Sequence, residues 1–430
     1  MTHRTGRTPR SCSTASGAEF MLLFVESIST GVGMSYVKWA VDNGFDAAYV
    51  TDQPLEVAKK RFCGEVVEEL ERRGRVYRVP STMTGDVPPA VVDEIRGVGG
   101  PMGVICLLDR AVEFAAVLAE RVGAPYPSPD AVRTIRDKRS ARRFYTEVGV
   151  PNIRWCAPES PEELVSFMEH LGGPVVLKNS KGAGSLYVTL VRGAEEAVTA
   201  FAELSDGGPF VGGGLLAEEY VRGPLYSLET LIVDGRCRHL GVTDRQIGPN
   251  PAFCEVSYSF PVQLPTSVES AMRSTVETCV AALEIGQGML HTEFAVLGDD
   301  VVIIEINIRP AGAAIPLMMN DCLESPVAEI LAAAALGTQL PPLEQNGRAS
   351  TTMTVYPPVA GKLRALRGVE EAGRAPFVAE ILPGARIGEE VFPPVDYRGA
   401  LCQIRTVADS LNLSFNAALT AARDIWAEVE

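Results

Sequence analysis

Short apolar runs alternating with longer amphipathic stretches mark residues 20–26, 37–43, 47–51, 76–80, 91–96, 104–108 and 111–122. Alternation of strand-like and helix-like periods predicts a parallel sheet with helices on its faces, and we place that domain over residues 19–123. Further on the pattern becomes more varied. Residues 133–150 (RTIRDKRSARRFYTEVGV) read as one basic helix, and 172–191 (GGPVVLKNSKGAGSLYVTLV) as strand, glycine-rich turn and strand. Residues 215–235 read as two strands with a short link, 267–283 as a helix, and 326–336 as a helix ended by Gly337. The segment QLPPLEQNGR has the composition of a linker, after which short β runs rich in Gly and Pro lead to a last helix at 413–428. The expected organisation is a tail at 1–18, an α/β domain at 19–123, a central domain at 124–336 with a mobile lid at about 172–214, and a β-rich domain at 337–430. The fold class is therefore mixed, α/β followed by α+β.

Residues 291–312, HTEFAVLGDDVVIIEINIRPAG, are the most informative. Gly298, Asp299 and Asp300 suggest a three-residue turn between two extended runs. That register sets Glu293 opposite Glu305 and His291 opposite Asn307, with Arg309 further along the same polar face. Phe294, Val296, Val302, Ile304 and Ile306 form the other, apolar face. Two carboxylates opposed across a ladder have Cβ atoms about 5 Å apart and repel unless positive charge lies between them. A magnesium ion, which takes oxygen ligands and substrate phosphates, would supply it through Glu293, Glu305 and Asn307. Arg309 at the rim would meet the same phosphate with its fixed fork of donors.

Composition narrows the function classes. A chain of 430 residues with 46% hydrophobic and 22% charged residues suits a globular protein of several domains. A net charge of −15 argues against general affinity for nucleic acid or anionic membrane, so any phosphate must be met by local cations. Nine scattered cysteines without a CxxC pair point to free thiols in a reducing cytoplasm. Arg4, Arg7 and Arg10, among Ser, Thr and Gly, give the first residues the character of a disordered tail. The loop STGVGMSY has Gly31 and Gly33, but Tyr36 stands where a dinucleotide fingerprint needs its third glycine, so we read a tight turn or a small-ligand contact. The loop with Gly182, Gly184 and Ser185 beside Lys178 and Lys181 lacks Walker spacing, yet its amides can close over phosphates.

The order of these motifs resembles the ATP-grasp superfamily, and in detail its carboxylate-amine ligases, the L-amino acid ligases above all. The resemblance rests on a lysine in the RDK helix, a lysine before a glycine loop, the EEYV segment and the Glu/Glu-Asn-Arg hairpin, with VESISTGVGM and GARIGEEVFPPVDYRGA at either end. It implies an ATP-grasp fold and the cofactors ATP and Mg2+, or Mn2+. Lys138 and Lys178 would hold ATP phosphates under the lid of Ser180, Gly182, Gly184 and Ser185. Glu218 would begin the hinge, and the backbone of Glu219 and Val221 would pair with adenine. Leu225 occupies the usual place of a ribose-binding glutamate, for which Glu229 is the substitute. Glu293, Glu305 and Asn307 would bind the metal, and Arg309 the transferring phosphoryl group. Glu255 would hold a substrate ammonium, with Tyr258 replacing the family's histidine. The implied activity is amide formation between a small acid and an amine through an acyl phosphate, by a cytoplasmic homodimer. Purine or carboxylation chemistry with formate or bicarbonate, and a non-catalytic nucleotide-binding module, are the alternatives.

Overall fold

The computed structural model describes residues 20–26, 32–59, 64–182, 184, 186–205 and 213–430. The expected tail, residues 29–31 of the STGVGMSY loop, and Ser185 lie outside the described residues. The chain divides into two compact units, 1–129 with 328–341, and 130–327 with 342–430. Among the described residues no helix is long and apolar enough to cross a membrane.

In the first unit β1 (Met21–Val25), β2 (Asp46–Thr51), β3 (Val76–Arg78) and β4 (Met102–Cys106) form a parallel sheet in the order β3-β2-β1-β4. Near-continuous apolar strands suit a sheet covered on both faces, and every residue of β1 and β4 is buried. Residues 37–42 belong to the helix Gly33–Asp42, which Asn43 caps. Two helices, Leu55–Lys59 and Gly64–Arg72, were not legible, because only Gly64, Val66, Val67 and Leu70 of the second turn inward from a run of charges. Gly103 is fixed by packing: a Cβ there would come within 2.9 Å of Ala335, on the helix Val327–Leu336.

The second unit begins with a departure from the expected single basic helix. The segment splits into Pro129–Arg136 and Lys138–Glu147. Asp137 caps the second helix, its Oδ1 accepting from the amides of Arg139 at 2.9 Å and Ser140 at 3.3 Å. The break puts Lys138 in a first helical turn instead of mid-helix. A small antiparallel sheet follows, in the order β5-β8-β6-β7, from β5 (Trp155–Cys156), β6 (Val175–Asn179), β7 (Val188–Val191) and β8 (Leu215–Glu219). With helices Pro161–Leu171 and Ala194–Ser205 it closes a core of its own around Leu164, Val175, Leu177, Val191, Ala197 and Leu215.

The large sheet is built from β9 (Leu225–Val233), β10 (Arg236–Ile247), β11 (Glu255–Val262), β12 (Gln287–Leu297) and β13 (Asp300–Asn307), and is extended by β14 (Ala349–Val355). After β15 (Gly361–Arg367) come β16 (Val378–Pro383), β17 (Glu390–Val391), β18 (Cys402–Ala408) and β19 (Trp426–Val429). The order β13-β12-β9-β10-β11-β14-β18-β16 makes one eight-stranded sheet, so strands expected in a separate C-terminal domain continue the central one. Strands β17-β15-β19 form a further small sheet. The last helix runs over Leu411–Asp424, and the residues expected to finish it instead pair as β19 against β15.

Where the chain passes from β8 to β9 it must lie against β12. The Val296 amide donates to the Pro224 carbonyl at 3.0 Å, and a Cβ on Gly223 would stand 2.2 Å from the Val296 oxygen. Backbone meeting backbone cannot yield as a flexible side chain would. Gly223→Ala is expected to destabilise the protein by about 1–3 kcal/mol, read as a lower denaturation midpoint at unchanged m in urea unfolding.

Candidate active site

Strand register assembles the polar face of the large sheet. Asn307, His291 and Glu229 lie in one row across β13, β12 and β9, and Glu305, Glu293, Ser227 and Thr243 in the next row, across β13, β12, β9 and β10. Arg245 on β10 stands opposite Tyr258 on β11. Polar residues from five neighbouring strands thus share one surface.

The hairpin reaches the expected register by an unexpected route. Leu297 pairs with Asp300, so the turn contains only Gly298, at φ +68°, and Asp299. A bulge between Glu293 and Phe294 restores the pairing of Glu293 with Glu305. Its cost to the reading is on the apolar face: Val301 and Ile303 are buried where Val302 and Ile304 were expected, and the latter two are only half-buried.

Neither of the opposed carboxylates is unpaired. Glu305 Oε1 receives Lys138 Nζ at 2.9 Å, while Glu293 pairs with Arg245 and with His291 Nε2 at 3.3 Å. The protein itself therefore supplies positive charge that had been assigned to metal alone. Among the described residues no three His, Cys, Asp or Glu side chains gather as a metal cluster. Glu293, Glu305 and Asn307 still offer an all-oxygen donor set, the chemistry that a hard divalent cation takes.

From these carboxylates an ionic chain runs across the sheet. Arg245 also pairs with Glu255, its Nε donating to Oε1 at 2.6 Å, and the Tyr258 hydroxyl donates to Glu255 Oε2 at 2.7 Å. Glu255 and Tyr258 are thus brought together. Arg245 was missed, because its significance lies in cross-strand neighbours, although the alternation Thr243, Arg245 within a strand hinted at a polar face. Burial by itself would favour neutral imidazole at His291, but Glu229 and Glu293 outweigh it and lift the group to about 9. Burial likewise disfavours charge on Glu293, and Arg245 and His291 overcome it to hold the carboxyl below its ordinary value.

Glu229 requires correction as a ribose ligand. It is completely buried, and its Oε1 meets Ser227 Oγ at 2.8 Å, His291 Nδ1 at 2.9 Å and Thr243 Oγ1 at 3.3 Å. Its position is that of an internal partner orienting His291.

Lys138 and Lys178 are both buried beside the glycine loop. Lys138 Nζ donates to the Gly182 carbonyl at 2.7 Å and its amide to the Ser180 carbonyl at 3.0 Å, linking the loop to Glu305. Ser180 is buried and Gly184 has φ +66°, a left-handed conformation suited to glycine. Lys178 Nζ lies 2.6 Å from Glu218 Oε2, while Arg142 Nε donates to Oε1 at 2.7 Å. Arg142, also missed, is completely buried and donates to the carbonyls of Ile303 at 2.7 Å and Ile304 at 2.8 Å. One guanidinium therefore joins the basic helix, β8 and β13. In the EEYV segment the Glu219 amide is committed to the Arg154 carbonyl at 2.9 Å, and its carboxylate to the Arg154 side chain at 2.7 Å. Of the backbone groups expected to pair with adenine, the Glu219 amide is therefore engaged within the protein. Arg309 is half-buried and donates to the Pro310 carbonyl at 2.8 Å.

The chain is similar to known proteins in sequence and in fold. Residues 171–316 match the ATP-grasp domain, and residues 353–430 match the L-amino acid ligase C-terminal domain 2. An uncharacterised protein of Sinorhizobium fredii is 26% identical over 333 residues, covering 75% of this chain and 67% of its own. Alanine–anticapsin ligase of Bacillus subtilis is 26% identical over 255 residues, and the chain spans 52% of its length. The crystal structure of an L-amino acid ligase from Bacillus licheniformis superposes with a TM-score of 0.75 at 19% identity, covering 96% of this chain and 99% of that one, which shows a shared fold.

Glu218 yields a test of this network. Burial opposes its charge, but Arg142 and Lys178 prevail and lower its carboxyl from 4.5 to about 2. A depressed folded value contributes stability that is complete above the unfolded value and lost as pH falls toward the folded one. Wild type should exceed Glu218→Gln by on the order of 3 kcal/mol near neutrality. In urea unfolding at a series of pH values, that gap should be constant above about pH 5 and shrink between 4.5 and 2.

Proposed function

We propose that this chain, which carries an ATP-grasp domain and an L-amino acid ligase C-terminal domain, is an ATP-dependent ligase joining a small carboxylic acid, in particular an amino acid, to an amine. One observation carries the reading: two buried lysines, Lys138 and Lys178, stand beside a glycine loop and are tied to Glu305 and Glu218. Cations concentrated in a strongly acidic chain suit a polyphosphate substrate.

In the reaction a carboxylate oxygen attacks the γ-phosphorus of ATP and ADP departs, leaving an acyl phosphate. The amine then attacks the acyl carbon, phosphate leaves, and the amine proton passes to solvent. Such phosphoryl transfer depends on positioning and charge neutralisation more than on a protein nucleophile. Lys138 and Lys178 hold phosphate oxygens, and Arg309 stabilises the phosphoryl group in transfer. Ser180, Gly182, Gly184 and Ser185 close over the phosphates and keep water from the acyl phosphate. The Glu218–Val221 segment receives adenine, with the Val221 amide as donor. Glu255, oriented by Arg245 and Tyr258, takes the substrate ammonium. Glu293, Glu305 and Asn307 would hold magnesium, or manganese, which neutralises phosphate charge when bound.

The family resemblance supports a homodimer. Seven cysteines among the described residues are all free thiols, which supports a reducing cytoplasm.

Purified protein with MgATP should release ADP and phosphate only when suitable amino acids, alone or paired, are present. Arg309→Ala should lower kcat by about 100-fold or more while nucleotide binding persists. Turnover with formate or bicarbonate, and none with any amino acid, would sink the amino-acid reading.

A further inference from the structure

The first unit contains a buried ionic cluster for which the ligase reading has no use. Its strands are parallel, so their carboxyl ends share one edge, and β2 and β3 lie to one side of β1 while β4 lies to the other. The crevice at such a reversal of strand order is where open parallel sheets receive ligands. Every strand sends a residue there: Glu26 follows β1, Thr51 ends β2 and Asp52 follows it, Thr82 follows β3, and Arg110 follows β4. Glu26 Oε1 accepts from the Asp52 amide at 2.7 Å and Thr51 Oγ1 at 3.0 Å, and stands 3.2 Å from Thr82 Oγ1, whose single proton goes to the nearer Asp52. Asp52 Oδ2 accepts from the Thr82 amide and hydroxyl, both at 2.8 Å, and Oδ1 from Gln53 Nε2 at 2.7 Å.

Two features exceed what holding the sheet requires. Glu26 is completely buried, yet its Oε2 has no hydrogen-bond donor among the described residues. A buried acceptor left in this way is rare and costly. The nearest cation, Arg110, is only loosely engaged: Nη2 stands 3.7 Å from Glu26 Oε2 and Nη1 3.5 Å from Asp52 Oδ2, with 24% of its side chain exposed. These distances are long for charge-assisted bonds, which close to about 2.7–2.9 Å.

We propose that this strand-end cluster is a binding site for an α-amino acid, its ammonium donating to Glu26 Oε2 and its carboxylate seated on the fork of Arg110. The orphan oxygen calls for a donor. Burial pushes the Glu26 carboxyl up to about 7, so a cationic donor beside Oε2 favours its ionised form, and a planar fork that is still exposed matches a carboxylate bidentately. Arg110 turns outward to the ligand as the ammonium takes its place beside Glu26. The site stands apart from the ligase reading, and its occupancy requires neither ATP nor turnover.

The test is calorimetric titration of the full-length protein, without nucleotide or metal, with each of the common L-amino acids. The best ligand is then replaced by its carboxamide and its N-acetyl derivative. Glu26→Gln and Arg110→Gln should each weaken binding by about 10- to 100-fold, the scale for loss of a hydrogen bond to a charged group, with thermal midpoints reported alongside. Both derivatives should lose affinity to a similar degree. If Glu26→Gln fails to fold, Arg110→Gln, with its partly exposed side chain, decides the matter. Wild-type affinity in a folded variant, undiminished binding of the carboxamide, or no amino acid binding to the wild type would overturn the proposal. ADP release plays no part in this experiment, so its outcome and that of the ligase assay remain separable.

Discussion

Two carboxylates opposed across a β ladder oblige their surroundings to supply positive charge, and much of the second unit answers that demand. Glu293 and Glu305 face each other between β12 and β13. Lys138 reaches one, and Arg245 and His291 reach the other. These cations come from a helix and from two strands of the same sheet, so the charge pattern closes only when all those elements are in place. Breaking such a pair on one side leaves an uncompensated buried charge, which couples the polar face to the fold itself.

A second ionic centre extends the dependence into the small sheet. Glu218 on β8 binds Arg142 and Lys178, and Arg142 goes on to the backbone of β13. Desolvation penalises these charges; attraction to Arg142 and Lys178 outweighs it at Glu218, whose carboxyl is lowered, while at Lys178 burial prevails and lowers the ammonium. Because Lys138 also bonds the Gly182 carbonyl, the glycine loop, the small sheet and the hairpin meet through buried cations. A polyphosphate entering such a place exchanges one set of anionic partners for another and does not require charge to be buried afresh.

Glu229 shows how position in sequence can mislead. Four residues beyond Leu225, it is placed in sequence to replace a missing nucleotide contact. Strand pairing instead sets it opposite His291, in a closed group with Ser227 and Thr243. The polar face therefore has an inner layer that orients groups as well as an outer layer that can meet a ligand.

The sequence by itself determined the parallel N-terminal sheet and the hairpin, because these follow from local periodicity and a turn near Gly298, whereas Glu293 meets Glu305 only because a bulge restores the register that the shorter turn displaced. It also determined which lysines accompany the glycine loop, since their meaning is carried by neighbours along the chain. The break at Asp137, the bulge after Glu293 and the union of β11 with β14 were settled by competition among capping, pairing and burial over longer distances. The roles of Arg142, Arg245 and Glu229 were decided only in tertiary structure. Each is an isolated charge in the linear pattern, and Coulomb attraction in a desolvated interior acts on separation in space, which strand register and helix packing set.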